Sequence, residues 1–271
     1  MKNGILYVVA TPIGNLGDIS KRGIDTLSEV DLVAAEDTRR SGLLLSRLGI
    51  KKPLVGYYKE KENSRAELII QKLKEGLNAA LISDAGTPCV SDPGAVLVRR
   101  AREEGIAVFP VPGACAATAA FSVSGLSGGY VFIGFLPRKT RDRSALVSEI
   151  KALSLPLIFY SAPHDVNDDL EFLYRSLGAR KVYVMREMTK IYEDMTEGVL
   201  GEITVSNEKG EFVVIVGGAE VRTGVFEISA GEELQALIDG GAPPKEAIKT
   251  VAKNRKVEKD VIYKEYLRIK D

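Results

Sequence analysis

Cysteine, histidine and tryptophan are scarce in this chain, whose 271 residues include two cysteines, one histidine and no tryptophan. Cys89 and Cys115 stand in segments unrelated by any metal-binding spacing, and His164 is the single histidine. The sequence therefore predicts neither a metal site nor a disulfide framework. Unpaired thiols, together with an N-terminus that lacks the pattern of a secretory signal, lead us to expect a cytoplasmic protein.

Net charge is also lacking, because 37 lysine and arginine residues balance 37 aspartate and glutamate residues. No global field attracts the chain to nucleic acid or membrane, so any such attraction must come from local patches. The uncharged segment 105–137 is long enough to cross a bilayer about 30 Å thick. Prolines and glycines interrupt it repeatedly, which predicts buried soluble structure and no membrane association.

Two common nucleotide-binding motifs are absent. The chain has no G-x-x-x-x-G-K-[ST], which argues against a P-loop nucleotidase, and no G-x-G-x-x-G after a strand, which argues against a dinucleotide oxidoreductase. A single histidine also leaves few options for a hydrolase triad.

Candidate strands alternate with helical patterns, which predicts an α/β protein with a mostly parallel sheet and helices on both faces. The glycine cluster at residues 125–129 is typical of a linker, and a second α/β unit is predicted after it. Apolar stripes with helical spacing occupy the segment after residue 228. The first four candidate strands are Ile5–Val9, Leu32–Ala35, Ala79–Ile82 and Ala107–Val111. The later four are residues 131–135, 157–160, 182–185 and 212–216.

Cap signals indicate where two of the helices begin or end. Asn63 or Ser64 can cap one helix at its N-terminus. Asp92 followed by Pro93 resembles an N-cap with proline at the first helical position, and Gly105 stands where a C-terminal glycine belongs.

Glycine, proline and small residues cluster in three loops at predicted strand ends, where ligands bind in open α/β sheets. The loops are ATPIGNLGDIS from residue 10, LISDAGTPCVSDPG from residue 81 and VPGACAATAA from residue 111. Each residue also has a simpler interpretation. Gly14 suits a turn, Asp84 can cap its own turn, Asp92 suits a helix cap, and the alanines at 114–120 permit close helix packing. Only the three loops together favour a ligand site.

Several longer segments resemble one known family. The segments are LYVVATPIGNLGDIS, AAEDTRRSGLLL, LISDAGTPCVSDPG, GFLPRK, REMTKIYED and GEFVVIVGG, spread over residues 6–218. Together they resemble the bacterial 16S ribosomal RNA cytidine 2′-O-methyltransferases, within the tetrapyrrole-methylase superfamily. The last helical segment is similar to the small C-terminal domain of that family.

The resemblance implies two tetrapyrrole-methylase-type α/β domains, residues 1–122 and 123–224, with a cofactor cleft between them, and a small helical domain at residues 225–271. It also implies S-adenosylmethionine as the methyl donor and a homodimer as the working unit. The cofactor-binding residues implied by position are Pro12, Gly14, Asp84, Ala85, Gly86, Thr87, Cys115, Ala116, Tyr160, Ser161, Ala162, Gly217 and Gly218.

The sequence departs from the family pattern in three places. Residues 161–165 read Ser-Ala-Pro-His-Asp, without the glutamate and arginine that the family usually has there. Ala114-Cys115-Ala116 replaces an expected Pro-Ser-Ala, and the last strand ends in Gly217-Gly218 without a glutamate before the glycine. These departures argue against acid–base roles at those positions and leave backbone contacts to the cofactor intact.

Methyl transfer from a sulfonium to a hydroxyl is an in-line displacement, in which alignment supplies much of the rate. A base must also remove the ribose proton, and a positioned base contributes about 10²–10⁴-fold. The candidate bases near the family motifs are Glu36, Asp37 and Glu187. His164, which follows Pro163 at a strand exit, is more typical of a surface or turn histidine.

Basic residues that could hold RNA phosphates form two groups, and Arg39 and Arg186 are further candidates. Solvated charge is the simpler interpretation of both groups, but the resemblance favours substrate binding by the first. For the second group both interpretations stay open. The first group is Arg138, Lys139, Arg141 and Arg143, and the second is Lys249, Lys253, Arg255, Lys256 and Lys259.

The leading hypothesis is an enzyme that methylates the ribose 2′-hydroxyl of a cytidine in the decoding region of 16S ribosomal RNA, within the small ribosomal subunit. Residues 36–40, the first basic group and the added helical segment favour this RNA substrate. The alternatives are a tetrapyrrole or protein-side-chain methyltransferase of the same fold, and a non-catalytic RNA-binding relative. The altered stretch at residues 161–165 keeps the last alternative open.

Overall fold

A computed structural model describes residues 2–220 and 228–270. The chain divides into two compact units, residues 1–219 and residues 220–271. Within the described residues the first unit contains two five-stranded sheets, and the second consists of helices. No described helix combines the length and the apolar character that a membrane crossing requires.

The first sheet has five strands, and its segment of the chain also contains five helices. The strands are β1 (Ile5–Val9), β2 (Leu32–Ala35), β3 (Leu54–Gly56), β4 (Ala79–Ile82) and β5 (Ala107–Val111). The helices are α1 (Lys21–Glu29), α2 (Thr38–Arg47), α3 (Glu62–Lys74), α4 (Ala95–Glu103) and α5 (Ala116–Val123).

This sheet is parallel throughout and has the strand order β3-β2-β4-β1-β5. Alternate side chains of its strands point to opposite faces. Helices α3 and α4 pack their apolar side chains on one face, and α1 and α2 pack on the other.

The second sheet is mixed. Its strands are β6 (Val131–Phe135), β7 (Leu157–Ser161), β8 (Lys181–Arg186), β9 (Asp194–Val199) and β10 (Phe212–Val216). They have the order β6-β7-β10-β8-β9. Strands β6 and β7 are parallel, whereas β10 runs antiparallel to both of its neighbours. The helices α6 (Thr140–Ile150) and α7 (Val166–Leu177) cover one face.

Helix α5 joins the two sheets. It follows β5 of the first sheet, yet its buried Ala117 and Ala120 pack on the open face of the second sheet, against Ile158 and Ile215. Alanine side chains allow a helix to approach a sheet closely, so close packing accounts for part of the small-residue run at 114–120.

The predicted α/β class is confirmed, and the eight candidate strands are all present with ends within one residue. The sequence prediction omits β3, which has only three residues, and β9, whose polar edge-strand sequence DMTEGV has no apolar alternation. It also misses the antiparallel pairing of β10. The domain boundaries stay predictions, and the boundary at 224/225 lies outside the described residues.

Two of the predicted helix starts are wrong, and one predicted helix end is confirmed. Helix α3 begins before Asn63 and Ser64, because the 3₁₀ turn Lys59–Lys61 runs directly into it. Helix α4 has its N-cap at Gly94 rather than at Asp92. Gly105 does follow the end of α4, with a φ of 68°.

The second unit contains α8 (Ala230–Asp239), α9 (Pro244–Arg255) and α10 (Lys259–Lys270) within its described residues. Ser229 and Glu232 form a capping box at the start of α8. The predicted apolar stripes are confirmed at Leu234, Val251 and Ile262, whose side chains form the core of this unit. Val261 and Leu267 of the third stripe are exposed.

Candidate active site

A cavity of about 380 Å³ lies in the first unit, at the edge where strands of both sheets end. Parallel strands end at the same edge, so the segments after β2, β4 and β5 all reach it. From the second sheet it receives the ends of β6 and β7, the segment after β8, and the start of antiparallel β10. The lining from the first sheet is Ile13, Glu36, Arg40, Asp84, Ala85, Gly86, Thr87, Val90, Ser91, Asp92, Cys115 and Ala116. The lining from the second sheet is Phe135, Tyr160, Ser161, Ala162, Pro163, Met188, Glu211, Phe212 and Val213.

The three loops singled out in the sequence are tied together beside this cavity. Thr11 and Gly86 exchange backbone hydrogen bonds of 2.9 and 3.1 Å, which join the first loop to the second. The Thr87 hydroxyl donates to the carbonyl of Ala114 at 3.0 Å, which joins the second loop to the third. Gly86 has a φ of 86°, a conformation that glycine adopts without strain.

Tyr160 connects the second sheet to the first. Its hydroxyl oxygen accepts the backbone N–H of Ala117 in the first turn of α5, at 3.2 Å. Its ring contacts Phe132 and Phe135 edge-on, with centroids 5.0 and 5.6 Å away. Burial raises the pKa of the Tyr160 phenol, so this group stays neutral at physiological pH. Its side chain lines the cavity in a fixed position.

Glu36 and Asp84 bring carboxylates to the cavity from neighbouring strand ends. Asp84 accepts the Asp37 backbone N–H at 3.1 Å and pairs with Arg40 at 3.2 Å, so it ties the β2–α2 loop to the β4 loop. Burial, followed by repulsion from Asp84, raises the pKa of Glu36 above its ordinary value. Glu36 is the only one of the three sequence-predicted bases that lines the cavity.

The other two candidate bases, Asp37 and Glu187, do not line the cavity, and their carboxylates accept hydrogen bonds from other groups. Asp37 is the N-cap of α2 and bonds the Arg39 guanidinium and backbone N–H, which lowers its pKa to about 2. The carboxylate of Glu187 accepts from Lys190 at 2.7 Å and from the Glu211 backbone N–H at 3.0 Å. Burial opposes ionisation of Glu187, but these bonds outweigh it and lower its pKa.

Asp92 is a cavity carboxyl whose role the sequence prediction missed. Gly94 is the N-cap of α4, and its backbone N–H donates to Glu62 at 3.0 Å. The Leu97 N–H in the first turn donates to the Tyr57 hydroxyl at 3.1 Å, so neither of these groups bonds Asp92. Burial, together with the negative charges of Glu36 and Asp84, raises the pKa of Asp92 to about 6. An Asp-Pro pair is typical of a cap in sequence, but the helix starts two residues later, after Gly94.

Most of the implied cofactor residues meet at the cavity, and four do not line it. Pro12 and Gly14 flank the lining residue Ile13, and Gly14 packs on the side chain of Lys190. Gly217 and Gly218 follow the far end of β10, at the opposite edge of the sheet, where the Gly217 N–H bonds Lys181. The antiparallel direction of β10 explains this placement, because its start and not its end faces the cavity.

The basic residues predicted to bind substrate fall into two classes. Arg138, Lys139 and Arg141 are exposed just after Phe135, and Arg39 is 90% exposed beside Asp37. Arg143 is instead committed within the fold, because its guanidinium donates to the Pro137 carbonyl at 2.6 Å and to buried Asp169 at 3.0 Å. Asp169 also accepts the Ser161 hydroxyl at 2.7 Å.

Three other residues considered in the sequence analysis are Arg186, Arg255 and His164. Arg186 is partly buried and donates to the Lys209 carbonyl at 3.5 Å. Arg255 of the second basic group pairs with Glu233 inside the second unit. His164 has a side chain that is 77% exposed, as the turn interpretation predicts. Among the described residues, no group of three or more His, Cys, Asp or Glu side chains could hold a metal ion.

A parallel and a mixed sheet that share one cavity at their strand ends define a two-sheet α/β protein with a small-molecule site. The sequence-family model of the tetrapyrrole (corrin/porphyrin) methylases matches residues 5–204 of this chain. The methyltransferase CobJ superimposes with a TM-score of 0.61 at 20% identity, over 80% of this chain and 95% of its own. This chain belongs to the tetrapyrrole (corrin/porphyrin) methylases.

Two curated relatives are similar over nearly their whole length, and both are named ribosomal RNA small subunit methyltransferase I. The protein from Haemophilus influenzae is 45% identical, over 96% of this chain and 95% of its own. The protein from Pasteurella multocida is 43% identical, over the same shares of the two chains.

S-adenosylmethionine is the methyl donor of this family and therefore of this chain. The cavity fits it in size, because small-molecule pockets span about 300–1,000 Å³. Backbone at residues 85–87 and the small side chains Cys115 and Ala116 let an adenosine group lie close to the chain. The carboxylates of Glu36, Asp84 and Asp92 suit a positively charged sulfonium.

Proposed function

We propose that this protein methylates the ribose 2′-hydroxyl of a cytidine in the decoding region of 16S ribosomal RNA. The observation that carries the proposal is the near full-length identity to relatives named for methylating ribosomal RNA of the small subunit. The match extends beyond the methylase family model, since it includes the helical second unit.

The surface beside the cavity supports a nucleic-acid substrate. Phe135 lines the cavity and is 57% exposed, so its ring is available to a base. Arg138, Lys139 and Arg141 follow it and are exposed, which suits fixed contacts to phosphates. A small tetrapyrrole substrate would not need such a segment.

The cavity also supports oxygen as the methyl acceptor. A ribose hydroxyl loses a proton when it is methylated, and a nearby carboxylate with a raised pKa suits that task. Glu36 meets this description within the cavity and stays a candidate base. Tyr160 and Phe212 line the cavity and limit the directions from which an acceptor can approach.

We further propose that the enzyme works as a homodimer in the cytoplasm, on the small ribosomal subunit. The exposed lysines of α9, Lys249 and Lys253, are available for additional phosphate contacts.

The test uses small subunits from a strain that lacks the corresponding methyltransferase, incubated with the purified protein and labelled S-adenosylmethionine. We expect one labelled nucleotide, whose mass and resistance to alkaline cleavage identify a 2′-O-methylcytidine. Label on a base, or label only in an added tetrapyrrole, would contradict the proposal.

A further inference from the structure

The strands β6 and β7 end side by side at the cavity and then lead to different parts of the site. They are parallel, and their last paired residues, Phe135 and Tyr160, both line the cavity. After β6 the chain continues into the exposed residues 138–141, which we call the basic segment. β7 ends at Ser161, and residues 162–163 continue along the cavity. The proposed RNA contacts and the cavity wall therefore start from neighbouring strand ends.

Beyond the last paired residues, three side chains connect the two departing segments. The Ser161 hydroxyl donates to one oxygen of the Asp169 carboxylate at 2.7 Å, and the Arg143 guanidinium donates to the other oxygen at 3.0 Å. Arg143 also donates to the carbonyl of Pro137, the residue before the basic segment, at 2.6 Å. These three side chains form a bridge of hydrogen bonds from the cavity wall to the start of the basic segment.

The burial of this bridge makes it a rigid connection. Ser161 and Asp169 are 4% and 5% exposed, and a hydroxyl or carboxylate left unpaired there would be costly. The Arg143 guanidinium lies over the ring of Phe172, 5.1 Å from its centroid, and its planar fork holds the donors in fixed directions. Movement of Pro137 away from the cavity wall would therefore break a bond of the bridge.

The packing of α6 and α7 on the sheet has another source. An apolar core that includes Ile150, Leu170 and Leu173 holds the two helices in place. A buried ion pair adds little net stability compared with well-packed apolar side chains of similar volume. The ion pair in the bridge instead adds direction, because it fixes the Pro137 carbonyl relative to Ser161.

We propose that Arg143 and Asp169 are positioning residues that hold the basic segment in register with the cavity, an inference that rests on the proposed function. The ribose that accepts the methyl group enters the cavity while phosphates of the same RNA lie on the basic segment. The distance between the two sites therefore determines where the hydroxyl oxygen arrives. In-line transfer tolerates little misplacement, since an error of about 1 Å can cost about 10²-fold in rate. A loosened bridge leaves both sites able to bind and lowers the rate of transfer.

The test replaces the ion pair by apolar side chains of similar total size, in the double variant Arg143→Met with Asp169→Leu. Methionine keeps a contact with the Phe172 ring, and such replacements of buried pairs are often neutral for stability. We expect the single-turnover rate at saturating small subunits to fall about 10–100-fold. The affinities for small subunits and for S-adenosylhomocysteine should stay within about threefold of wild type, because the ligand contacts themselves remain.

The matched control, Arg175→Met with Glu171→Leu, removes an exposed ion pair of α7 whose charged groups are 2.7 Å apart. Neither residue lines the cavity or belongs to the bridge, so the rate should match that of wild type.

A second comparison asks whether the bridge acts through the basic segment. The same double replacement is made in a protein whose Arg138, Lys139 and Arg141 are already alanine. We expect a further loss of less than about threefold there, since effects on one pathway are not additive. An equal loss in both backgrounds would overturn the inference, because a bridge that only supported the cavity would matter equally in either.

A rate within about threefold of wild type for Arg143→Met with Asp169→Leu would also overturn the inference. If that protein does not fold, Ser161→Ala decides, because it cuts the bridge at the cavity end and keeps the ion pair. A rate for Ser161→Ala within about twofold of wild type, or a loss that is the same without the basic segment, overturns the inference.

Mapping of the methylated nucleotide separates this inference from the proposed function. Label on a base in the wild-type reaction overturns the proposed function, and no label on small subunits overturns both claims. Ribose methylation at an undiminished rate in Arg143→Met with Asp169→Leu overturns only the inference.

Discussion

At the scale of single residues, Glu36 influences the protonation of Asp92 because both are half-buried carboxyls in one cavity. The negative charge of Glu36 is a cause of the raised pKa of Asp92, second only to burial. Asp37, one residue further along, has a carboxylate that Arg39 neutralises. Adjacent acidic residues therefore have different effects on the same site.

Removal of the Glu36 charge should consequently shift the titration of Asp92. In Glu36→Gln the Asp92 carboxyl ionises more readily, so the midpoint of its titration moves from about pH 6 to lower pH. The measurement is a carbon-13 titration of the side-chain carboxyl signals between pH 4.5 and 8.5, with Asp92→Asn to assign the signal.

Asp37→Asn is the matched control for this shift. Asparagine caps a helix as well as aspartate does, and the Asp37 charge is already paired, so the midpoint should stay in place. A midpoint that stays near pH 6 in Glu36→Gln would contradict the effect of Glu36 on Asp92.

Arg141 and Arg143 illustrate how two neighbouring arginines differ in role. Arg143→Ala leaves Asp169, which is 5% exposed, without its cationic partner. Removal of one member of a buried pair costs about 3–5 kcal/mol, and we expect about 2–4 kcal/mol here because Arg143 is 22% exposed. Thermal melting should show the loss for Arg143→Ala and none for exposed Arg141→Ala. Equal melting temperatures would contradict a structural role for Arg143.

At the scale of elements, the contact between β6 and the loop before α4 determines the position of Asp92. An alanine at Gly134 would need a positive φ, which costs about 1–2 kcal/mol, and its Cβ would displace Ser91. Gly134→Ala should therefore lower the melting temperature by a few degrees and reduce the single-turnover rate at least tenfold.

Gly129→Ala is the control for this substitution, since nothing lies within 4 Å of a Cβ built at that linker glycine. We expect its melting temperature and its rate to match those of wild type. A Gly134→Ala protein with a normal rate would show that β6 does not position the loop.

The elements also show which features can be predicted from sequence. Apolar runs such as Leu32–Ala35 and Phe212–Val216 are predictable because burial on both faces leaves no polar alternation. The polar edge strand β9 and the three-residue β3 give no such signal, and the reversed direction of β10 depends on long-range pairing. The sequence pattern favours a cap role for Asp92 because the residues that bond the start of α4, Glu62 and Tyr57, are distant along the chain.

At the scale of the whole molecule, the balanced net charge means that RNA binding must come from a local surface. The segment after Phe135 is the best candidate, because it is exposed and begins at the cavity wall. Replacement of Arg138, Lys139 and Arg141 by alanine should weaken binding to small subunits. It should also reduce the magnitude of the slope in a plot of log affinity against log salt concentration, by up to about one for each phosphate contact that is lost. Affinity for S-adenosylhomocysteine should stay unchanged, because none of the three residues lines the cavity.

A charge-matched control removes Arg47, Lys51 and Lys52, which lie between the end of α2 and the start of β3. Parallel strands begin at the edge of the sheet opposite the one where they end, so this cluster is on the far side of the first sheet from the cavity. If net charge alone governed binding, both triple variants would show the same fall in affinity and in salt dependence. A fall confined to the segment after Phe135 would instead locate the RNA path at the mouth of the methyl-transfer cavity.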